Sequence, residues 1–218
     1  GEKNQKKVLN YNIKGNSNIL YACKKKNIKR FIFASSIYVF SKYGGAYKKS
    51  KQYCEINIKK SKVKSTILRF GSIYGPGSTD GNTIYDLLKM AIQKRKITYW
   101  GKGDEVRQYI HVRDTAKVCK KIFLEEYKNK SILITGLEDT RSNDLINMIN
   151  EMFNKKLKIE YRYSKRSISH YKNTPFSISK EAKYIPEIGE KIILENYTDI
   201  GQGVYELANI LIKKFKRK

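Results

Sequence analysis

Short unbroken apolar runs alternate along the chain with longer stretches in which apolar residues recur every three or four positions. Arg30-Phe31-Ile32-Phe33-Ala34-Ser35 and Thr66-Ile67-Leu68-Arg69-Phe70 are runs of the first kind, and each predicts a buried strand. Around them, Ile13, Ile19, Leu20 and Cys23 predict a helix from Asn12 to Lys26 that ends on Lys24-Lys25-Lys26, where positive charge suits a helix C-terminus. Ala46 to Lys60 predicts a second helix. Asn82 to Lys94, with Ile84, Leu87, Leu88, Ala91 and Ile92 on one face, predicts a third. Between the second strand and the third helix, Tyr74-Gly75-Pro76-Gly77 reads as a turn.

The pattern is less regular further on. Ile97 to Trp100 and Tyr109 to Val112 predict short strands flanking a Gly101-Lys102-Gly103 turn. Asp114 is placed to cap a helix running to about Tyr127, and Ile132 to Thr135 predicts a strand. A helix from Thr140 or Ser142 to Asn154, a strand from Leu157 to Tyr163 and a closing helix from Gly203 to Lys216 complete the reading, while residues 164–200 give weak signals. Strands alternating with helices predict an α/β architecture with a largely parallel sheet.

Composition narrows the function. With 218 residues, 40% hydrophobic and 12% aromatic, the chain can bury a globular core, which argues against disorder and coiled coil. No apolar run approaches the roughly 20 residues of a membrane span, so no membrane partner is expected. The three cysteines, Cys23, Cys54 and Cys119, have no CxxC spacing. They fit a reducing cytoplasm better than a disulfide framework, and with two isolated histidines, His111 and His170, they predict no metal site. The net charge of +26 comes from 46 Lys and Arg against 20 Asp and Glu. Because the lysines run from Lys3 to Lys218 instead of clustering, the charge reads as solvated surface suited to a small anionic substrate, with nucleic acid as the disfavoured alternative.

Sites in parallel α/β sheets lie at the carboxyl ends of strands. Ser35-Ser36 ends the first strand, and the next helix opens with Tyr47-Lys48-Lys49-Ser50-Lys51. A Tyr and a Lys four apart share a helix face, so the ammonium can stabilise a phenolate able to take a hydroxyl proton near neutral pH. The spacing alone carries no weight, because five such pairs occur, starting at Tyr21, Tyr38, Tyr47, Tyr85 and Tyr161. Context separates them: Tyr47 opens a helix one short loop after a strand that ends in two serines, whereas Tyr38 is too near Ser36 along the chain to fold back onto it.

Four ordered segments carry a resemblance. They are Ser35-Ser36-Ile37-Tyr38-Val39, Tyr47-Lys48-Lys49-Ser50-Lys51, Leu68-Arg69-Phe70-Gly71-Ser72-Ile73-Tyr74-Gly75-Pro76, and Gly101 through Asp114. Over about residues 10–136 the chain resembles the extended short-chain dehydrogenase/reductase family, in its NAD-dependent nucleotide-sugar epimerase/dehydratase branch. The resemblance implies Tyr47 as general base, Lys51 as the residue that holds the nicotinamide ribose and lowers the Tyr47 pKa, and Ser36 as the ligand of the sugar hydroxyl. It implies Asn12 and Gly71, with Tyr47 and Lys51, as contacts of NAD, NADP remaining open. For the substrate it implies Ser72 and Arg107 at the diphosphate and Tyr109 beside the ribose. A forked guanidinium suits phosphate where an ammonium offers only a point charge. By the same resemblance a homodimer forms through the helices around Asn12–Lys26 and Ala46–Lys60.

The chain departs from that pattern in four places. The loop from Ser36 to Tyr47 is short, Ser72 stands where Asn is common, and Ile37-Tyr38 replaces the Asp-Glu pair of the dehydratases. The Gly-rich phosphate turn of the first strand is not found, and a first residue of Gly with no Met suggests that it lies upstream in a longer protein. The expected fold is therefore a partial Rossmann-like parallel sheet, its second half, with a smaller mixed α/β substrate-binding domain. Residues 1–74, rejoined by a strand at 131–136, would form the C-terminal half of the NAD-binding domain, and 75–218 mainly the substrate part. The expected activity is that of a UDP-glucose 4-epimerase-like enzyme, with a nucleotide-sugar reductase, dehydrogenase or dehydratase of the same family as the alternative and a non-catalytic basic nucleic-acid-binding protein as the second.

Overall fold

The computed structural model describes residues 4–41, 44–162 and 184–216. Helix α1 (Gln5–Lys25) opens on Asn4, whose side chain accepts the Lys7 N–H at 3.0 Å, and closes on Lys24 and Lys25. Strand β1 (Phe31–Ser36) follows, then a single 3-10 turn (Ile37–Phe40) and helix α2 (Gly45–Ser61). Next come β2 (Ser65–Phe70), β3 (Ser72–Tyr74), α3 (Thr83–Lys94), β4 (Lys96–Trp100), β5 (Val106–Arg107) and β6 (Tyr109–His111). The remainder runs α4 (Val112–Lys121), a 3-10 turn at Glu125–Tyr127, β7 (Ser131–Ile134), β8 (Thr140–Arg141), α5 (Ser142–Met152), β9 (Lys158–Arg162), β10 (Glu190–Lys191) and α6 (Ile200–Lys216).

The chain forms two compact units. The first holds the described residues of 4–71, 118–134 and 184–193. Its sheet has the order β1-β2-β7-β10, and every pair is parallel. Helices α1 and α2 pack on each other, and Leu20, Ile58 and Ile67 are buried beside Phe31, Phe33 and Val63. Parallel strands must be joined by crossovers, and α2 supplies the one between β1 and β2. All three long strands therefore end on the same side, at Ser36, Phe70 and Ile134.

The second unit holds 72–117, 135–162 and 194–216. Three two-stranded ladders, β3-β6, β4-β9 and antiparallel β5-β8, surround an apolar core that α3, α5 and α6 share. Ile84, Leu88, Ala91, Ile97 and Leu145 are fully buried there. Asn82 caps α3 by accepting the Tyr85 N–H at 3.2 Å and donates from Nδ2 to the Ile73 carbonyl at 2.7 Å, so the helix start is tied to β3.

The α/β architecture is as expected, but several details differ. Strands expected to flank the Gly101–Gly103 turn pair elsewhere: β4 with β9 some sixty residues on, and β6 with β3. The helix expected to reach Tyr127 stops at Lys121. Asp114 lies inside its first turn instead of at a cap; its carboxylate accepts the Thr198 N–H at 2.7 Å and pairs with Lys117. Trp100 is exposed, with the Arg162 guanidinium 5.8 Å from the ring centre. Among the described residues no helix is long and apolar enough to cross a membrane and no cluster of His, Cys, Asp or Glu could hold a metal; His170 lies outside them.

Two glycines test this packing in opposite senses. A Cβ at Gly15, inside α1, would meet nothing within 4 Å, so Gly15→Ala should stabilise the protein by roughly 0.5–1 kcal/mol. A Cβ at Gly136 would lie 2.0 Å from the Tyr109 carbonyl oxygen, which belongs to backbone and cannot rotate away. Gly136→Ala should cost about 1–3 kcal/mol. Urea unfolding followed by circular dichroism measures both changes.

Candidate active site

At the carboxyl end of β1, the Ser36 backbone is extended and its side chain nearly buried. Its Oγ accepts the Tyr38 N–H at 3.3 Å, which starts the 3-10 turn, and lies 3.5 Å from the Phe70 carbonyl oxygen of the neighbouring strand. It also hydrogen-bonds to the Tyr47 phenol. The chain makes the short return from strand to helix through Gly44, whose φ of +130° is open to glycine and costly for other residues. Two side chains of α2 pin the loop: Lys48 Nζ donates to the Ser41 carbonyl and Gln52 Nε2 to the Val39 carbonyl, both at 2.7 Å. The structure thus brings Ser36 and Tyr47 together.

Lys51, one turn along α2, is half-buried. Its Nζ donates to the Ala34 carbonyl at 2.7 Å and lies 5.1 Å from the Phe33 ring centre and 5.6 Å from that of Tyr47. Burial lowers its pKa, and the nearby Cys54 and Glu55 oppose the shift. Burial also pushes the Tyr47 phenol above its ordinary value, against a lowering effect from the Ser36 hydrogen bond. The Lys51 ammonium is thus bonded to a strand carbonyl beside the Tyr47 ring, and at the phenol burial outweighs the lowering by Ser36.

Asn12 braces the same helix. Its Nδ2 donates to Ser50 Oγ at 2.8 Å, and Ser50 Oγ donates to the Tyr47 carbonyl at 2.7 Å. One turn later on α1, Asn16 is 5% exposed, and neither of its amide atoms has a partner among the described residues. Gly71 follows β2 and donates its N–H to the Ile134 carbonyl at 2.9 Å, so it too lies at the strand ends. This donor set fits the nicotinamide–ribose end of a dinucleotide. An ammonium has three N–H donors, of which the Ala34 carbonyl takes one, beside a phenol and a serine hydroxyl.

In the second unit, Ser72 and Tyr109 are register partners across β3 and β6, and Arg107 lies two residues before Tyr109 on β5. Ser72, distant in sequence from the other two, is thereby brought beside Tyr109. Glu105 shapes the turn that leads to Arg107. Its nearly buried carboxylate accepts the Gly103 N–H at 3.0 Å, the Lys102 N–H at 3.2 Å and the Tyr99 hydroxyl at 3.0 Å. Burial and that carboxylate push the Tyr99 phenol up to about 12.

Sequence reasoning missed Glu105 and also Glu55, a fully buried acid on α2. The available signal for Glu55 was its place one helical turn beyond Lys51. In a lysine-rich helix, a lone acid at that spacing reads as a solvated partner.

A model of the NAD dependent epimerase/dehydratase family matches residues 1–134. An uncharacterised UDP-glucose epimerase of Bacillus subtilis is 22% identical over 187 residues, 78% of this chain and 58% of that protein, so the chain spans little more than half the length of that relative. A dTDP-4-dehydro-6-deoxy-D-allose reductase of Streptomyces bikiniensis is 30% identical over 87 residues, 38% of this chain and 26% of the reductase. Among solved structures, the UDP-glucuronic acid 4-epimerase of Bacillus cereus, in complex with UDP-glucuronic acid and NAD, superposes with a TM-score of 0.73 at 21% identity, covering 95% of this chain and 68% of its own. That likeness is one of fold.

His111, in β6, is 1% exposed. Its Nδ1 accepts the Arg113 N–H at 3.4 Å and its Nε2 lies 3.5 Å from one oxygen of the Glu206 carboxylate, whose other oxygen Arg113 engages. Burial lowers its pKa, with Arg113 adding to the effect. A folded pKa below the unfolded value means that the unfolded chain takes up a proton first as pH falls, so stability present above about pH 6.5 is lost below it. His111→Asn should flatten that acid-side loss, read as the slope of unfolding free energy between pH 7 and 5.

Proposed function

Because this chain belongs to the NAD dependent epimerase/dehydratase family, we propose that it acts as a nucleotide-sugar epimerase of the UDP-glucose 4-epimerase kind, by reversible hydride transfer at a sugar carbon. The observation that carries this reading is the hydrogen bond between Ser36 and Tyr47 at the end of a parallel strand, with Lys51 one turn beneath. Tyr47 takes the proton of the sugar hydroxyl, and the Ser36 hydroxyl donates to the oxygen as it gains charge. Lys51 offers its remaining N–H donors to ribose hydroxyls. Bound NAD supplies the hydride acceptor and a fixed positive charge. Burial holds the Tyr47 phenol high, and positive charge beside it, from Lys51 and from bound NAD, favours its ionised form.

In the second unit, Arg107 takes the diphosphate with a forked guanidinium, Ser72 assists, and Tyr109 lies at the ribose. Asn12 serves by holding the first turn of α2. A homodimer through α1 and α2 belongs to the same reading, and Tyr11, Ile19, Tyr21 and Tyr53 are the exposed apolar side chains on those helices. A one-way nucleotide-sugar reductase is the second reading, favoured by the 30% identity to the allose reductase. A reductase consumes added cofactor, whereas an epimerase leaves the absorbance at 340 nm unchanged over many turnovers.

Incubation of the purified protein with UDP-sugars and NAD, with sugar products resolved chromatographically, tests this function. Tyr47→Phe should lower kcat by about 10²–10⁴ with little change in KM, and Arg107→Ala should act mainly on KM. Undiminished turnover by Tyr47→Phe would assign the proton transfer to another group.

A further inference from the structure

Glu55 lies one helical turn beyond Lys51 and two beyond Tyr47, so the three side chains leave α2 on the same face. It is fully buried, and a carboxylate without solvent needs its lone pairs engaged by donors. Four donors reach it. Oε1 accepts from Ser35 Oγ at 2.6 Å and Arg69 Nε at 3.1 Å, and Oε2 accepts from Arg69 Nη2 at 2.9 Å and the Tyr184 hydroxyl at 2.6 Å. Arg69 is equally buried; its Nη1 donates to the Glu187 carbonyl at 2.6 Å, and its guanidinium stacks 4.8 Å from the Phe40 ring centre. Ser35 and Arg69 are register partners at the ends of β1 and β2, and Ser36 is the next residue along β1.

We propose that Glu55 is a positioning residue for the strand-end site. Its carboxylate clamps the helix that carries Tyr47 and Lys51 to the end of the strand that carries Ser36, through Ser35 and Arg69, and so keeps the serine hydroxyl within reach of the phenol. The inference rests on the roles proposed above for Ser36 and Tyr47. A buried ion pair adds little net stability over a well-packed apolar pair, because desolvation of both charges offsets their attraction. Four directed hydrogen bonds do fix the rotation of α2 and the height of β1 against it, which apolar packing leaves looser. A proton-transfer site works only within a tolerance of about 0.5 Å.

The test needs neither substrate nor cofactor. Tyrosine labelled with ¹³C at Cζ reports the ionisation of each phenol by NMR, and Tyr47→Phe identifies the Tyr47 signal. Ser36→Ala should move the Tyr47 midpoint up by about 1 to 2 pH units, the worth of one hydrogen bond to the ionised form. Ser35→Ala and Glu55→Gln should move it in the same direction, although neither residue touches the phenol. Ser35→Ala removes one hydrogen bond and leaves the ion pair in place, so it decides the matter if Glu55→Gln fails to fold. An upward shift with Ser36→Ala but none with Ser35→Ala or a folded Glu55→Gln overturns the positioning role and leaves the proposed reaction standing. An unmoved midpoint in Ser36→Ala overturns the Ser36–Tyr47 contact itself, and the proposed function with it.

Discussion

The burial of one carboxylate and one guanidinium, Glu55 and Arg69, in a place without water constrains the whole first unit. Neither charge can be left alone there, so every element that supplies a donor or acceptor is held: α2 by Glu55, β1 by Ser35, β2 by Arg69, and residues 184–187 by Tyr184 and a backbone carbonyl. Burial of apolar side chains such as Leu20, Ile58 and Ile67 drives the packing of helices on the sheet, but that force is non-directional. The ion pair adds direction. Through it, the sequence of a helix and two strands becomes a fixed arrangement of hydroxyl, phenol and ammonium at the strand ends.

Electrostatics at that point differ from the simple picture of a lysine activating a tyrosine. Burial raises the Tyr47 pKa against the lowering by the Ser36 hydrogen bond, while Lys51 is bonded to the Ala34 carbonyl. The second unit uses a different device: Glu105 holds a tight turn with three hydrogen bonds and so fixes where β5 presents Arg107.

Much of this was legible in the sequence wherever the local signal was strong. Helix α3 announced itself through its Asn82 cap and the stripe of Ile84, Leu87, Leu88 and Ala91, and β1 and β2 through dense apolar runs. The beginning of α1 was not legible, because Gln5 to Tyr11 offers only Val8 and Leu9 as apolar periodicity. The two-residue strands β5, β8 and β10 are too short to carry a pattern and exist only because a partner strand is present. The pairing of β4 with β9, distant in sequence, is a tertiary choice that local propensity cannot encode. At the site, the ordered motifs led to Ser36, Tyr47 and Lys51. Glu55 stayed hidden because a lone acid among lysines looks solvated, and only its four donors, drawn from three other segments, reveal it as buried.

The clamp is most directly measured by a double-mutant cycle on unfolding free energy with Glu55→Leu, Arg69→Met and the pair combined. Each single change strands a buried charge and should cost about 3–5 kcal/mol, whereas the double variant should cost at least about 2 kcal/mol less than the sum of the two. Additive costs would contradict the account, since they would mean that the two charges do not depend on each other and that the strand-end geometry is held by packing alone.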